Sequence, residues 1–90
     1  MTIKKKYTKN EVKKLSNNKP VVYKIKTKSG ATNYIGKAKR GRVNERIIEH
    51  MNEIPGSTVS IEQFSSIAAA GKKEVNSIKK TKPKYNKQGK

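Results

Sequence analysis

Residues 20–38 read Pro20-Val21-Val22-Tyr23-Lys24-Ile25-Lys26-Thr27-Lys28-Ser29-Gly30-Ala31-Thr32-Asn33-Tyr34-Ile35-Gly36-Lys37-Ala38, a sequence with the marks of a β-hairpin. Pro20 opens an extended run to Thr27 in which β-branched and aromatic residues alternate with Lys24 and Lys26, the pattern of a strand with one buried face. Lys28-Ser29-Gly30 supplies a hairpin loop. The return strand runs roughly from Ala31 to Lys37, so the pair is antiparallel and Tyr23 and Tyr34 can face the same side.

Towards the N-terminus, residues 1–7 form a basic leader. Thr8-Lys9-Asn10-Glu11 then has the spacing of a capping box that opens a short helix to about Ser16, broken by Asn17-Asn18-Lys19-Pro20. In the other direction, a Lys-rich connection from Gly36 to Gly41 leads to Val43, Ile47, Ile48, Met51 and Ile54 at helical spacing. This is an amphipathic helix reaching about Asn52 and stopped by Pro55-Gly56, with Glu45, Glu49 and Glu53 beside Arg42, Arg46 and His50 on its other faces. Thr58 to Phe64 alternates as a third strand. Ser65 or Ser66 caps a last helix from Ile67 to about Lys80, in which Gly71 costs about 1 kcal/mol relative to alanine. From Lys79 to Lys90 lysine dominates, and the stretch is expected to be extended or disordered except where Pro83 and Tyr85 dock it.

The order is short helix, hairpin, helix, strand, helix. It predicts an α+β fold with a small three-stranded antiparallel sheet flanked by helices, divided into a leader and short helix (1–19), the domain proper (20–86) and a basic tail (87–90). Ninety residues with 31% hydrophobic content allow one domain with a modest core.

The formal net charge is +17, from 23 Lys and Arg against six Glu and no Asp, a balance that favours an extended polyanion as partner. Lysine outnumbers arginine heavily, which suits diffuse phosphate attraction better than reading of base edges, so weak sequence preference is expected. The absence of cysteine excludes disulfides, zinc ribbons and thiol catalysis. Every apolar run is far too short to span a bilayer and no apolar segment follows the basic start, so a cytoplasmic location and no membrane partner are expected.

Several polar landmarks follow in order. Val21-Val22-Tyr23 and Tyr34-Ile35-Gly36 are followed by Lys37; Arg46-Ile47-Ile48-Glu49-His50 places an arginine and a histidine on one helix face; Glu74 lies on the last helix, and Asn86 follows Lys82-Pro83. Together these resemble the GIY-YIG nuclease family over roughly residues 21–86. The first motif keeps the tyrosine but lacks the glycine and isoleucine of the family name. The distance from Tyr34 to Arg46 is longer than in many relatives; Arg42 stands at a slightly shorter spacing and is the alternative arginine, although only Arg46 has His50 one turn later.

Cutting a phosphodiester needs a base, cations to neutralise the transition state, and help for the leaving oxygen. The resemblance implies that Tyr23 acts in proton abstraction and passes its proton through Tyr34 or Lys37. It implies that Arg46 forks onto the scissile phosphate, that His50 orients the tyrosine or protonates the leaving group, and that Asn86 positions Glu74 or the phosphate. Glu74 would hold one Mg²⁺, with Mn²⁺ as substitute, through a single carboxylate completed by waters and a phosphate oxygen. Gly36, Lys39 and Arg42 would border the approaching phosphate backbone, Gly36 because a Cβ would intrude. A tyrosine of ordinary pKa, about 10, is a poor base, so nearby charge from Lys37, Arg46 or the metal must lower it.

Taken singly, a strand tyrosine is more often a core residue and an Arg/His/Glu helix face more often a solvated surface. The ordered set implies a metal-dependent DNA endonuclease of low intrinsic specificity acting on duplex or branched DNA. With only four residues after Asn86, selectivity is expected from DNA structure, a homodimer or a targeting protein. The rival readings are a non-catalytic nucleic-acid-binding module on the same fold and a ribosome-associated RNA-binding protein.

Overall fold

The computed structural model of the chain describes residues 2–15, 18–51 and 53–83. Along it run β1 (Thr2–Lys6), α1 (Lys9–Lys13), β2 (Val21–Lys26), β3 (Thr32–Ala38), α2 (Val43–His50), β4 (Thr58–Gln63) and α3 (Ile67–Thr81). The strands form one antiparallel sheet in the order β1-β4-β2-β3.

The hairpin forms where the alternation places it. β2 pairs with β3 so that Tyr23 lies opposite Gly36 and Lys24 opposite Ile35. At the turn, the Thr27 amide donates to the Ala31 carbonyl at 2.8 Å and the Gly30 amide to the Thr27 carbonyl at 3.0 Å. Gly30 takes a φ of +95°, a backbone conformation that a Cβ would disfavour.

The sheet has four strands where the sequence pattern predicts three. The basic leader supplies the extra one: Ile3 pairs opposite Ile61 and Lys4 opposite Ser60, so β1 closes the free edge of β4. Its drive is main-chain, because the unpaired amides and carbonyls of β4 need partners. Ile3 of the strand and Tyr7 just after it pack against the core, and the lysines between them conceal that spacing.

Each face of the sheet carries a different helical layer. Val21, Tyr23 and Ile25 of β2 and Val59 and Ile61 of β4 are buried with Val12 and Leu15 from the α1 region and Val43 and Ile47 of α2. On the opposite face Val22 and Ile35 are buried with Ala70 of α3, joined by Phe64 and Ile78. The small side chain at Ala70 allows close approach of helix to sheet, as the alanine-rich start of that helix suggests.

Polar ties hold the layers in place. The Asn44 amide donates to the carbonyls of Val12 and Leu15, which ends α1 against α2. Buried Asn33 donates from Nδ2 to the Pro55 carbonyl at 2.7 Å. Thr8 caps α1 through the Glu11 amide, which starts where the capping-box spacing predicts but spans only Lys9–Lys13. Of the two candidate serines, Ser66 caps α3, accepting from the Ala69 amide at 3.2 Å.

β3 is therefore an edge strand with α2 on one face and α3 on the other. Its even-numbered side chains, Tyr34 and Ala38, meet α2, and its odd-numbered ones, Ile35 and Lys37, meet α3. Among the described residues no helix is long and apolar enough to cross a membrane.

Candidate active site

At the exposed edge of β3, the gap between α2 and α3 is a cleft of about 340 Å³. Tyr34, Lys37 and Lys39 come from β3 and its exit, Arg42 and Arg46 from the start and body of α2, and Ile67 and Glu74 from α3. The strand's alternation sends Tyr34 and Lys37 to opposite faces, so a cleft at the strand edge is where both can contribute.

Beneath the cleft lies a stack of three rings. Tyr34 and His50 have ring centroids 4.7 Å apart, Tyr23 and His50 6.0 Å, and the two tyrosines 6.1 Å. Tyr23 has no exposure, and its hydroxyl has no hydrogen-bond partner among the described residues. Both ring nitrogens of His50 are likewise buried and unpartnered among the described residues. The Tyr23 and Tyr34 hydroxyls influence each other's ionisation without reaching hydrogen-bond geometry.

Gly36 makes the stack possible. A Cβ there would lie 2.7 Å from Cζ and the hydroxyl of Tyr23 and 2.8 Å from Cε2 of Tyr34. The room left by the missing side chain is taken by the two rings, and Gly36 is buried.

Glu74 faces the cleft from α3, and Lys37 reaches its Oε1 at 3.9 Å. The lysine passes over Gly71, where a Cβ would stand 3.3 Å from Nζ. Arg46 pairs with Glu49 at 3.8 Å, and Arg42 pairs with Glu45.

Burial sets the proton affinities. It pushes the Tyr23 phenol far up, aided by Tyr34, Glu74 and Tyr7 and opposed by Arg46. It also raises Tyr34, with Glu74 adding and Arg46 opposing. Glu74 is raised by burial, while Lys37 and Arg46 pull it down. His50 is lowered by burial and by Arg46, against the pull of Glu53 and Glu49. The charge of Arg46 thus acts on all four groups, which makes it the central cation of the site; both arginines nevertheless line the cleft. The lowering that the tyrosines were expected to receive from Arg46 is present but smaller than the cost of burying a phenolate.

Among the described residues no three His, Cys, Asp or Glu side chains converge as a metal cluster. A lone carboxylate still fits one hard cation: Mg²⁺ commonly uses one or two carboxylates and completes its shell with waters and substrate phosphate. Glu74 is such a group, half-buried, facing open space and only loosely met by Lys37.

The structure brings together Tyr23, Tyr34, Gly36, Lys37, Lys39, Arg42, Arg46, His50 and Glu74 of the residues singled out by sequence. Asn86 lies outside the described residues. Ile67 and Ala38 also line the cleft, and nothing in their sequence context marks them.

Neither a family sequence model nor a curated protein matches the chain. Solved structures do. The GIY-YIG N-terminal endonuclease domain of UvrC from Thermotoga maritima, with its catalytic magnesium bound, is 31% identical; the match covers 83% of this chain and 94% of that one at a TM-score of 0.63. A point mutant of the same domain, also bound to its catalytic divalent cation, matches at a TM-score of 0.65 and 30% identity, with the same coverage.

Proposed function

The chain belongs to the GIY-YIG endonuclease family, and from that premise we propose that it hydrolyses DNA phosphodiester bonds with one divalent cation held by Glu74. The observation that carries this reading is the convergence of Tyr34, Lys37, Arg46 and Glu74, from two faces of the sheet, on one cleft.

Each side chain has a task set by its place. Arg46 meets the scissile phosphate from α2, its planar fork suited to two phosphate oxygens. Lys37 adds a point charge from the opposite wall. Tyr34 is the phenol that lines the cleft, whereas Tyr23 is wholly buried behind Gly36, so proton abstraction falls to Tyr34. Tyr23 and His50 back the Tyr34 ring and fix its direction. A divalent cation on Glu74 would supply the positive charge that stabilises the phosphate in its transition state and favours ionisation of the groups beside it. Binding of a phosphate next to Arg46 expels water and strengthens every one of these interactions.

DNA is the proposed substrate because the charge of +17 rests mainly on lysines, which give affinity for backbone without address. Mg²⁺ is the proposed cation and Mn²⁺ its substitute.

The test is cleavage of supercoiled plasmid and of branched DNAs in Mg²⁺, Mn²⁺ or EDTA. Cutting is expected with either metal and none in EDTA. Tyr34→Phe and Glu74→Gln should lose at least 100-fold in rate, the scale on which a positioned acid–base group acts, while still binding DNA. Because burial disfavours the charged carboxylate, Glu74→Gln should melt no lower than wild type. Binding without cutting by the wild type would instead favour a non-catalytic module.

A further inference from the structure

A second hollow of about 530 Å³ opens beside the cleft. Lys19 and Pro20 at the entry to β2, Lys39 and Arg40 after β3, and Ser65 before α3 line it, and it shares Lys39 and Ile67 with the cleft. Among the described residues no carboxylate lines it. In the cleft, Lys37, Arg42 and Arg46 each pair with a glutamate. Lys19, Lys39 and Arg40 have no carboxylate partner among the described residues. A group of cations with no carboxylate partner among the described residues therefore lies one wall away from where the scissile phosphate would rest.

Resting on the nuclease reading, we infer that this hollow is a flanking-phosphate subsite: Lys19 and Arg40 hold the phosphate adjacent to the scissile one, on one side of the cut. A polynucleotide cannot place one phosphate in the cleft without directing its neighbours along the surface, and every neighbour carries a charge. The shared wall at Lys39 and Ile67 makes the hollow the adjoining place for that charge. Engagement on one side gives the bound strand a direction, so the subsite sets which way the scissile strand runs through the cleft. Lys19 and Arg40 act on binding and leave the reacting atoms to the cleft.

The experiment uses the full chain and the double variant Lys19→Ala/Arg40→Ala. Binding of a short DNA duplex in EDTA comes first, across a series of salt concentrations. Loss of the hold on that one phosphate should reduce the slope of log affinity against log salt by about 1. A Lys13→Ala/Lys28→Ala control, which removes equal charge from exposed positions away from the hollow, should change it by less than half as much. Cleavage comes second, on duplexes in which a neutral methylphosphonate replaces the phosphate on one side or the other of the cut. The double variant should raise KM several-fold with kcat within twofold, and one of the two neutral substitutions should erase the difference between variant and wild type.

An unchanged salt slope overturns the subsite. So does a variant whose loss multiplies with that of the methylphosphonate on both sides. If the wild type binds but does not cut, the nuclease reading fails on its own, and the salt slope still decides whether Lys19 and Arg40 contact phosphate.

Discussion

At the scale of single residues, the site depends on what is missing at Gly36 and on what is buried at His50. Gly36→Ala forces a Cβ to within 2.7 Å of the Tyr23 ring, which is wholly buried. Overpacking of this kind typically costs about 1–3 kcal/mol. Thermal melting should register that loss, and cleavage should fall further than folding because Tyr34 is displaced with it. His50 gives a pH signature. Its pKa in the fold lies below the ordinary 6.5 because burial and Arg46 disfavour the imidazolium. Between the two values the unfolded chain binds more protons, so this contribution is complete above pH 6.5 and is lost as pH falls through the folded pKa. Glu74 runs the other way, its raised pKa making the fold less stable as pH rises above 4.5 through its own window. Melting curves of wild type and His50→Gln, compared from pH 5 to 8, should therefore converge at the low end and separate at the high end. A constant difference would show that the imidazole is not desolvated.

At the scale of elements, the sequence was most legible where period and punctuation agree. The hairpin, α2, β4 and α3 follow from alternation, helical spacing, Gly30, Pro55 and Ser66, because each records a local preference that the tertiary fold does not override. β1 was not legible, since a strand held mainly by ladder hydrogen bonds leaves little trace in side chains. The site was legible as an ordered set of residue types. Which tyrosine faces solvent was not, because Tyr23 and Tyr34 share a face and only the position of β3 at the sheet edge separates them. Gly71 shows both sides of this limit. As a helix residue it costs about 1 kcal/mol relative to alanine, yet its Cβ-free surface is where Lys37 passes to Glu74. Gly71→Ala should thus raise stability by about 0.5–1 kcal/mol, the lysine end moving by a few tenths of an ångström. Chemical denaturation reads the first effect, and a cleavage rate that drops while stability rises would show that the lysine position matters to the reaction.

At the scale of the whole molecule, a chain of net charge +17 has most of its cations on a fold with principal extents of 29 × 28 × 22 Å over the described residues. At 0.01 M salt the screening length is about 30 Å, so every lysine repels every other across the whole fold; at 0.15 M it is about 8 Å and only near neighbours interact. The unfolded chain can spread the same charges apart, so repulsion penalises the folded state most at low salt. The four glutamate pairs among the described residues sit mostly on exposed side chains and offset little of it. Raising salt from 0.01 to 0.15 M should therefore increase the melting temperature by several degrees, opposite to the fall expected for a protein stabilised by surface ion pairs. Over the same range DNA affinity should decline, since the counterions freed by phosphate contacts gain less entropy on entering a saltier bath. A short DNA duplex added at low salt should itself raise the melting temperature, by neutralising the repulsion and by binding the folded state, and that gain should shrink as salt is added. A melting temperature insensitive to both salt and DNA would mean that the lysines are too dispersed to act as a field, and would confine the electrostatics of binding to the cleft and its immediate border.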